Sequence, residues 1–156
     1  MTLRVALVGD VYPGHEDFRA RLAERIARHG LQDTVFLLPF ERDIHRVWRG
    51  SDLAVVPSLE PEGFGLVAVE AMACGVPVLA AAHGGVLDIV EHGSSGWLFE
   101  PGDEQALAAA LLQLARDAKL RNQLGAQANV RQSRLFSLQG QLLRLRGLCE
   151  RSACPA

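Results

Sequence analysis

Short apolar runs alternate with longer helix-patterned stretches along most of this chain, and that alternation limits its possible folds more than any other feature. Residues 3–8 read as a strand, the turn GDVYPG follows, and 16–29 form an amphipathic helix that Gly30 ends. A strand over 35–38, a short helix over 43–49 and the strand in DLAVVPS, stopped by Pro57, come next. An apolar helix over 66–74, the strand PVLAAA, a Gly-Gly turn with a short helix, and the strand GWLFE complete the alternation. Asp103 stands where it can cap the helix EQALAAALLQLARD, and the chain from Ala118 onward reads as helical, with a joint over 133–137. Strands separated by helices require crossover connections, which set the strands parallel and put helices on both faces of the sheet. The expected class is α/β, doubly wound around a mostly parallel sheet. No internal repeat or low-complexity tract interrupts it.

At 156 residues the chain has a single-domain length, and its net charge of -2 points to no nucleic-acid partner. Cys74, Cys149 and Cys154 are an odd number without paired spacing, which argues for a reducing compartment and against a disulfide framework or zinc site. The opening MTLRVALVGD lacks the layout of a secretory signal, and no window is apolar enough to span a bilayer, so a cytoplasmic, soluble protein is expected.

Ligands of open α/β sheets gather beyond the carboxyl ends of the strands, which directs attention to the loops after Leu38, Val56 and Ala82. The loop after Val56 carries Glu60, Glu62 and the sequence GFG before the next helix. Glycines at 63 and 65 admit close backbone approach, and the free N–H groups of the helix start suit phosphate or sugar oxygens. Glu62 stands at this helix mouth. Glu70 is the only charged residue among the apolar positions of 66–74, where an ionised carboxylate needs a partner or water. It lies roughly 7–8 Å along the axis from the mouth. Two such acids can accept hydrogen bonds from two parts of one polyol. A cleft mouth or an arginine would equally satisfy a lone Glu70.

The pair is framed by EGFGLVAVEAMACGVPV, an E-x7-E core, and accompanied by VALVGD, LQDTVFLLPF, SDLAVVPS and HGGVLDIVEHGSSGWLFEPGD. In these segments, residues 4 to about 117, the chain resembles the C-terminal, donor-binding domain of family 4 (group 1) retaining glycosyltransferases of the GT-B fold, one Rossmann-like half of that fold. The resemblance implies transfer of a sugar from a nucleotide-diphosphate donor with retention of configuration and without a metal or other cofactor. It gives Glu62 the catalytic position, holding donor-sugar hydroxyls beside the reacting carbon, and Glu70 the ribose hydroxyls. It sets the backbone of Gly63, Phe64, Gly65 and Leu66 against sugar and diphosphate, and Pro39 and Phe40 near the base. His83, Gly84 and Gly85 form a loop that either approaches phosphate or is a plain turn. Asp88 and Leu87 stand where the family commonly has Glu and often has Pro. Residues 1–130 would be the donor-binding domain and 131–156 a C-terminal helix and tail.

His15, His45 and His92 fall in polar surroundings without metal-ligand spacing, and Cys74 reads as core. Leu138, Leu142, Leu145 and Leu148 recur at helical spacing, either as ordinary packing or as a stripe for a surface outside this chain, self-association included. The acceptor-binding domain and the first strand-helix unit of the donor domain, with its basic diphosphate-neutralising motif, have no counterpart in these residues. The strand over 3–8 would then pair directly with that over 52–56, or leave a gap. The expectation is a domain or fragment that binds a nucleotide sugar and needs an N-terminal acceptor domain or partner chain for turnover; a non-catalytic binding or interaction module is the alternative.

Overall fold

A computed structural model describes residues 3–11 and 13–152, with the side chains of Leu148 and 150–152 outside the description. The chain forms two compact units, Met1–Ile44 and His45–Ala156.

In the first unit, β1 (Val5–Val8) and β2 (Val35–Leu38) pair in parallel, Val5 opposite Val35, joined by α1 (Asp17–Arg28). None of the residues of α1 is buried. Its exposed i,i+4 pairs, Asp17–Arg21 at 3.3 Å and Glu24–Arg28 at 2.7 Å, each contribute only about 0.3–0.5 kcal/mol. Gly30 ends the helix as the sequence suggests. At φ 64 it lets its own N–H reach Ala27 O (3.0 Å) while Leu31 N–H reaches Ile26 O (3.0 Å), a paired closure that uses two otherwise orphan carbonyls.

The second unit holds the buried core. Its elements are α2 (Ile44–Arg49, beginning one residue before the boundary), β3 (Ala54–Val56), α3 (Leu66–Ala73), β4 (Val78–Ala81), α4 (Val86–Ile89), β5 (Gly96–Phe99), α5 (Glu104–Arg116), α6 (Ala118–Leu135) and α7 (Leu138–Ser152). The three strands form a parallel sheet in the order β3-β4-β5. Every residue of β4 is buried, and they divide by the two-residue strand period. Val78 and Ala80 pack with Ala68, Ala71, Met72, Val86, Ile89 and Ala128. Leu79 and Ala81 pack with Phe99, Ala110, Leu114 and Leu124. One strand thus serves two cores, with α3, α4 and α6 contributing to one and α5 and α6 to the other; this is the doubly wound arrangement expected.

The sequence leaves two alternatives for the first strand, pairing with the 52–56 strand or a gap. β1 pairs with β2, and β3 with β4, so direct pairing of the first strand with β3 is not formed among the described strands. Asp103 caps α5 as expected, its Oδ1 accepting from Gln105 N–H (3.0 Å) and Ala106 N–H (2.9 Å). Helix α6 runs unbroken to Leu135, and α7 starts at Leu138, at the end of the stretch read as a joint. Leu138, Leu142 and Leu145 of α7 are exposed, so ordinary packing on this chain does not explain them; the side chain of Leu148 and all of Cys154 lie outside the described residues.

Candidate functional site

Strand β3 ends at Val56, and Pro57, lacking an N–H, cannot extend the ladder. The chain turns so that the Ser58 hydroxyl donates a hydrogen bond to Glu62 Oε1. The other oxygen, Oε2, lies 3.8 Å from the place a Cβ would occupy on Gly65. The carboxylate therefore leans over the glycine that opens α3. Gly65 has φ 89, a conformation that strains L-residues, and an added Cβ would sit 3.2 Å from Ile89 Cδ1 and 3.3 Å from Val86 Cγ2. The backbone conformation calls for glycine there, and the packing leaves little room for more. Its carbonyl accepts from Ala68 N–H (3.1 Å) and Val69 N–H (3.3 Å), which begins the helix. The N–H groups of Leu66 and Val67 precede any helical partner, and both residues are exposed.

The turn after β4 meets this loop through backbone. Gly85 N–H donates to Glu62 O at 2.9 Å. A Cβ on Gly84 (φ 59) would stand 2.5 Å from Glu62 O, and one on Gly85 2.6 Å from Phe64 O. Close packing against residues 62–64 thus accounts for both glycines without invoking phosphate. His83 Nε2 lies 2.7 Å from Ser58 O; a carbonyl only accepts, so Nε2 carries the proton. The Phe64 ring meets Phe136 edge-on at 6.2 Å between centroids.

Glu70 is the fifth residue of α3, on the helix whose mouth Glu62 overhangs. Of the alternatives the sequence leaves open to it, a partner or water, Glu70 takes water. Leu66 is 63% and Val67 42% exposed, while Ala68, Ala71 and Met72 face the core, and Glu70 is itself only half-buried. Water reaches it, and among the described residues it has no hydrogen-bond or ion-pair partner, no arginine included. Cys74 is half-buried and packs against the edge of the core, its Sγ 3.3 Å from Nδ1 of the exposed His45. His92 accepts from Leu98 N–H at 3.0 Å and packs on Trp97. Pro39 and Phe40 follow β2 in the first unit, where Phe40 is exposed. Among the described residues no three His, Cys, Asp or Glu side chains are grouped to hold a metal.

Two contributors escaped sequence reasoning. Ser58 left only a serine four residues before an acid. Arg131, on α6, donates from Nε to Ile89 O (2.7 Å) and from Nη2 to Asp88 O (2.9 Å), tying down the end of α4. An arginine some forty positions away carries no local signal of that contact.

Comparison with known proteins agrees with this architecture. A D-inositol 3-phosphate glycosyltransferase of Stackebrandtia nassauensis is 42% identical over 128 residues, covering 81% of this chain and 29% of that protein. The amylovoran biosynthesis glycosyltransferase AmsK of Erwinia amylovora is 40% identical over 110 residues, 66% of this chain and 27% of its own length. Among solved structures, Anabaena Alr3699/HepE in complex with UDP superposes with a TM-score of 0.86 at 36% identity, over 92% of this chain and 40% of that one. The C-terminal domain of the group 1 protein LpcC from Francisella tularensis superposes with a TM-score of 0.79 at 29% identity, over 87% and 71%. The chain spans between about a fifth and a third of the length of the curated relatives it matches. The profile of the family "Glycosyl transferases group 1" matches residues 2–131, and the chain belongs to that family, with the fold of a GT-B C-terminal domain.

Proposed function

We propose that this chain is the donor-binding half of a retaining glycosyltransferase, holding a nucleotide-diphosphate sugar while an N-terminal acceptor domain or partner chain completes the cleft. The donor-binding role falls to residues 1–130, a boundary that lies within α6, with α7 following it. The observation that carries the reading is the meeting of the 58–65 loop with the 83–85 turn at the carboxyl ends of β3 and β4, where Glu62 overhangs the glycine-opened mouth of α3. Glu62 accepts from donor-sugar hydroxyls beside the reacting carbon, and half-exposed Glu70 accepts from the ribose. The backbone at Gly63, Phe64, Gly65 and Leu66 borders sugar and diphosphate, and the N-terminal end of the α3 dipole favours the anionic groups. No residue in these roles requires a metal. Free thiols at Cys74 and Cys149 suit a reducing, cytoplasmic setting. Further elements must supply positive charge for the leaving diphosphate, since charge developing there needs compensation.

Titration calorimetry with UDP, the ligand of the Anabaena structure, tests the reading. Glu70→Ala is expected to weaken UDP about tenfold, the effect of a lost charge-assisted hydrogen bond. Its half-exposed position leaves folding nearly unchanged. Equal binding heats for the two proteins would remove Glu70 from the ribose role. UDP-glucose turnover, with and without an added N-terminal domain, separates an enzyme half from a non-catalytic module.

A further inference from the structure

We infer that Ser58 is the positioning residue for Glu62 and that His83 holds Ser58 in place, a deepening that rests on the donor-binding reading above. A carboxylate on a loop has free rotamers, and ordering it on ligand arrival costs about 0.5–1.5 kcal/mol for each side chain immobilised. Here the Ser58 hydroxyl donates to Oε1 in advance. That bond occupies one lone pair of Oε1 and leaves Oε2, the atom over Gly65, wholly open to accept from a ligand hydroxyl. Ser58 is itself half-buried and is held from the far side, because His83 Nε2–H donates to its carbonyl at 2.7 Å. The Gly85 N–H bond to Glu62 O fixes the main chain of the acid as well. Glu62 is thus restrained at backbone and side chain by two neighbouring strand-end segments, the 83–85 turn and Ser58. A hydroxyl, unlike a lysine or arginine in the same place, orients the carboxylate without neutralising its charge, so the acid stays a strong acceptor.

The test compares the dissociation constants of UDP and UDP-glucose, whose ratio isolates the sugar. In Ser58→Ala that ratio is expected to shift about tenfold against UDP-glucose, with UDP itself unchanged within about twofold. Ser58→Thr, which keeps the hydroxyl, restores it. Adding Ser58→Ala to Glu62→Gln is expected to change nothing further, because the serine acts through the acid. Equal weakening of both probes, or additive losses in the double variant, would overturn the inference and leave Ser58 a structural residue. Should the wild-type chain bind neither probe, the donor-binding reading is what fails. The carboxyl-carbon resonance of Glu62 then decides the positioning claim. It should move in Ser58→Ala and in His83→Phe, which removes the ring N–H donor, by more than that of Glu60 in the same loop, and an unmoved Glu62 refutes it.

Discussion

Gly84→Ala is the substitution whose cost the structure specifies most closely. Two separate penalties apply. Gly84 has φ 59, where an L-residue costs about 1–2 kcal/mol. Its Cβ would also lie 2.5 Å from Glu62 O and 2.9 Å from Glu62 N, backbone atoms that cannot swing aside as a side-chain tip can. Overpacking of this kind costs about 1–3 kcal/mol. Gly93→Ala separates the two terms, because Gly93 has φ 74 but open space around its Cβ position. The two variants share the conformational penalty, so their difference measures the contact, about 2 kcal/mol. For a chain of 156 residues that corresponds to about 6 °C in Tm, at roughly 3 °C per kcal/mol. Thermal unfolding followed by calorimetry or circular dichroism reads it directly. Equal Tm values for Gly84→Ala and Gly93→Ala would mean that the loop and turn are not in backbone contact, and the site geometry built on that contact would fall.

Three further outcomes are expected. Asp103→Ala removes the acceptor of two N–H groups at the start of α5 and should lower unfolding stability by about 1 kcal/mol in urea, with Asp103→Asn retaining most of it. Asn129→Ala deprives Ala73 O of a 2.7 Å hydrogen bond at the part-buried end of α3, a loss of about 1–3 kcal/mol by the same measurement. Glu16 should titrate below the ordinary glutamate range by carbon NMR, because the Gly14 N–H bond (2.8 Å), followed by its own N–H, favours the ionised form. Its contribution is therefore present above the unfolded pKa and lost as pH falls through the folded one, and Gly14 amide protection should fall in the same window.

The parts of the fold legible in the sequence are those governed by neighbours in the chain. The run PVLAAA reads as a strand, and the structure buries every residue of β4, as expected of a central parallel strand with no polar face. Gly30 and Asp103 act within a few residues of themselves and do what their types suggest. Glu62, Gly63 and Gly65 read as a candidate site because a loop, a helix start and an acid adjoin one another in sequence. What escaped depends on contacts between distant segments. Periodicity counted Leu66 and Val67 as an apolar surround for Glu70, yet hydrophobic character does not say which residues find a partner, and both face outward. His83 gained its role from a carbonyl twenty-five positions away, and Asn129 from one fifty-six away. Strand pairing is likewise non-local, and the split into two ladders could not be read from the alternation alone.

The crossing of α3 and α6 has a consequence for how variants should be chosen. Gly125 approaches Gly75 so closely that a methyl group there would strike its carbonyl, while Gly75 (φ 73) and Val76 close the end of α3 through bonds to Met72 O and Ala71 O. The helix whose front end borders the proposed donor site is thus clamped at its rear, with no slack for a side chain to fill. Any side chain at position 125 would therefore have to push α3 and α6 apart, so Gly125→Ala is expected to disturb the far end of α3 without touching it.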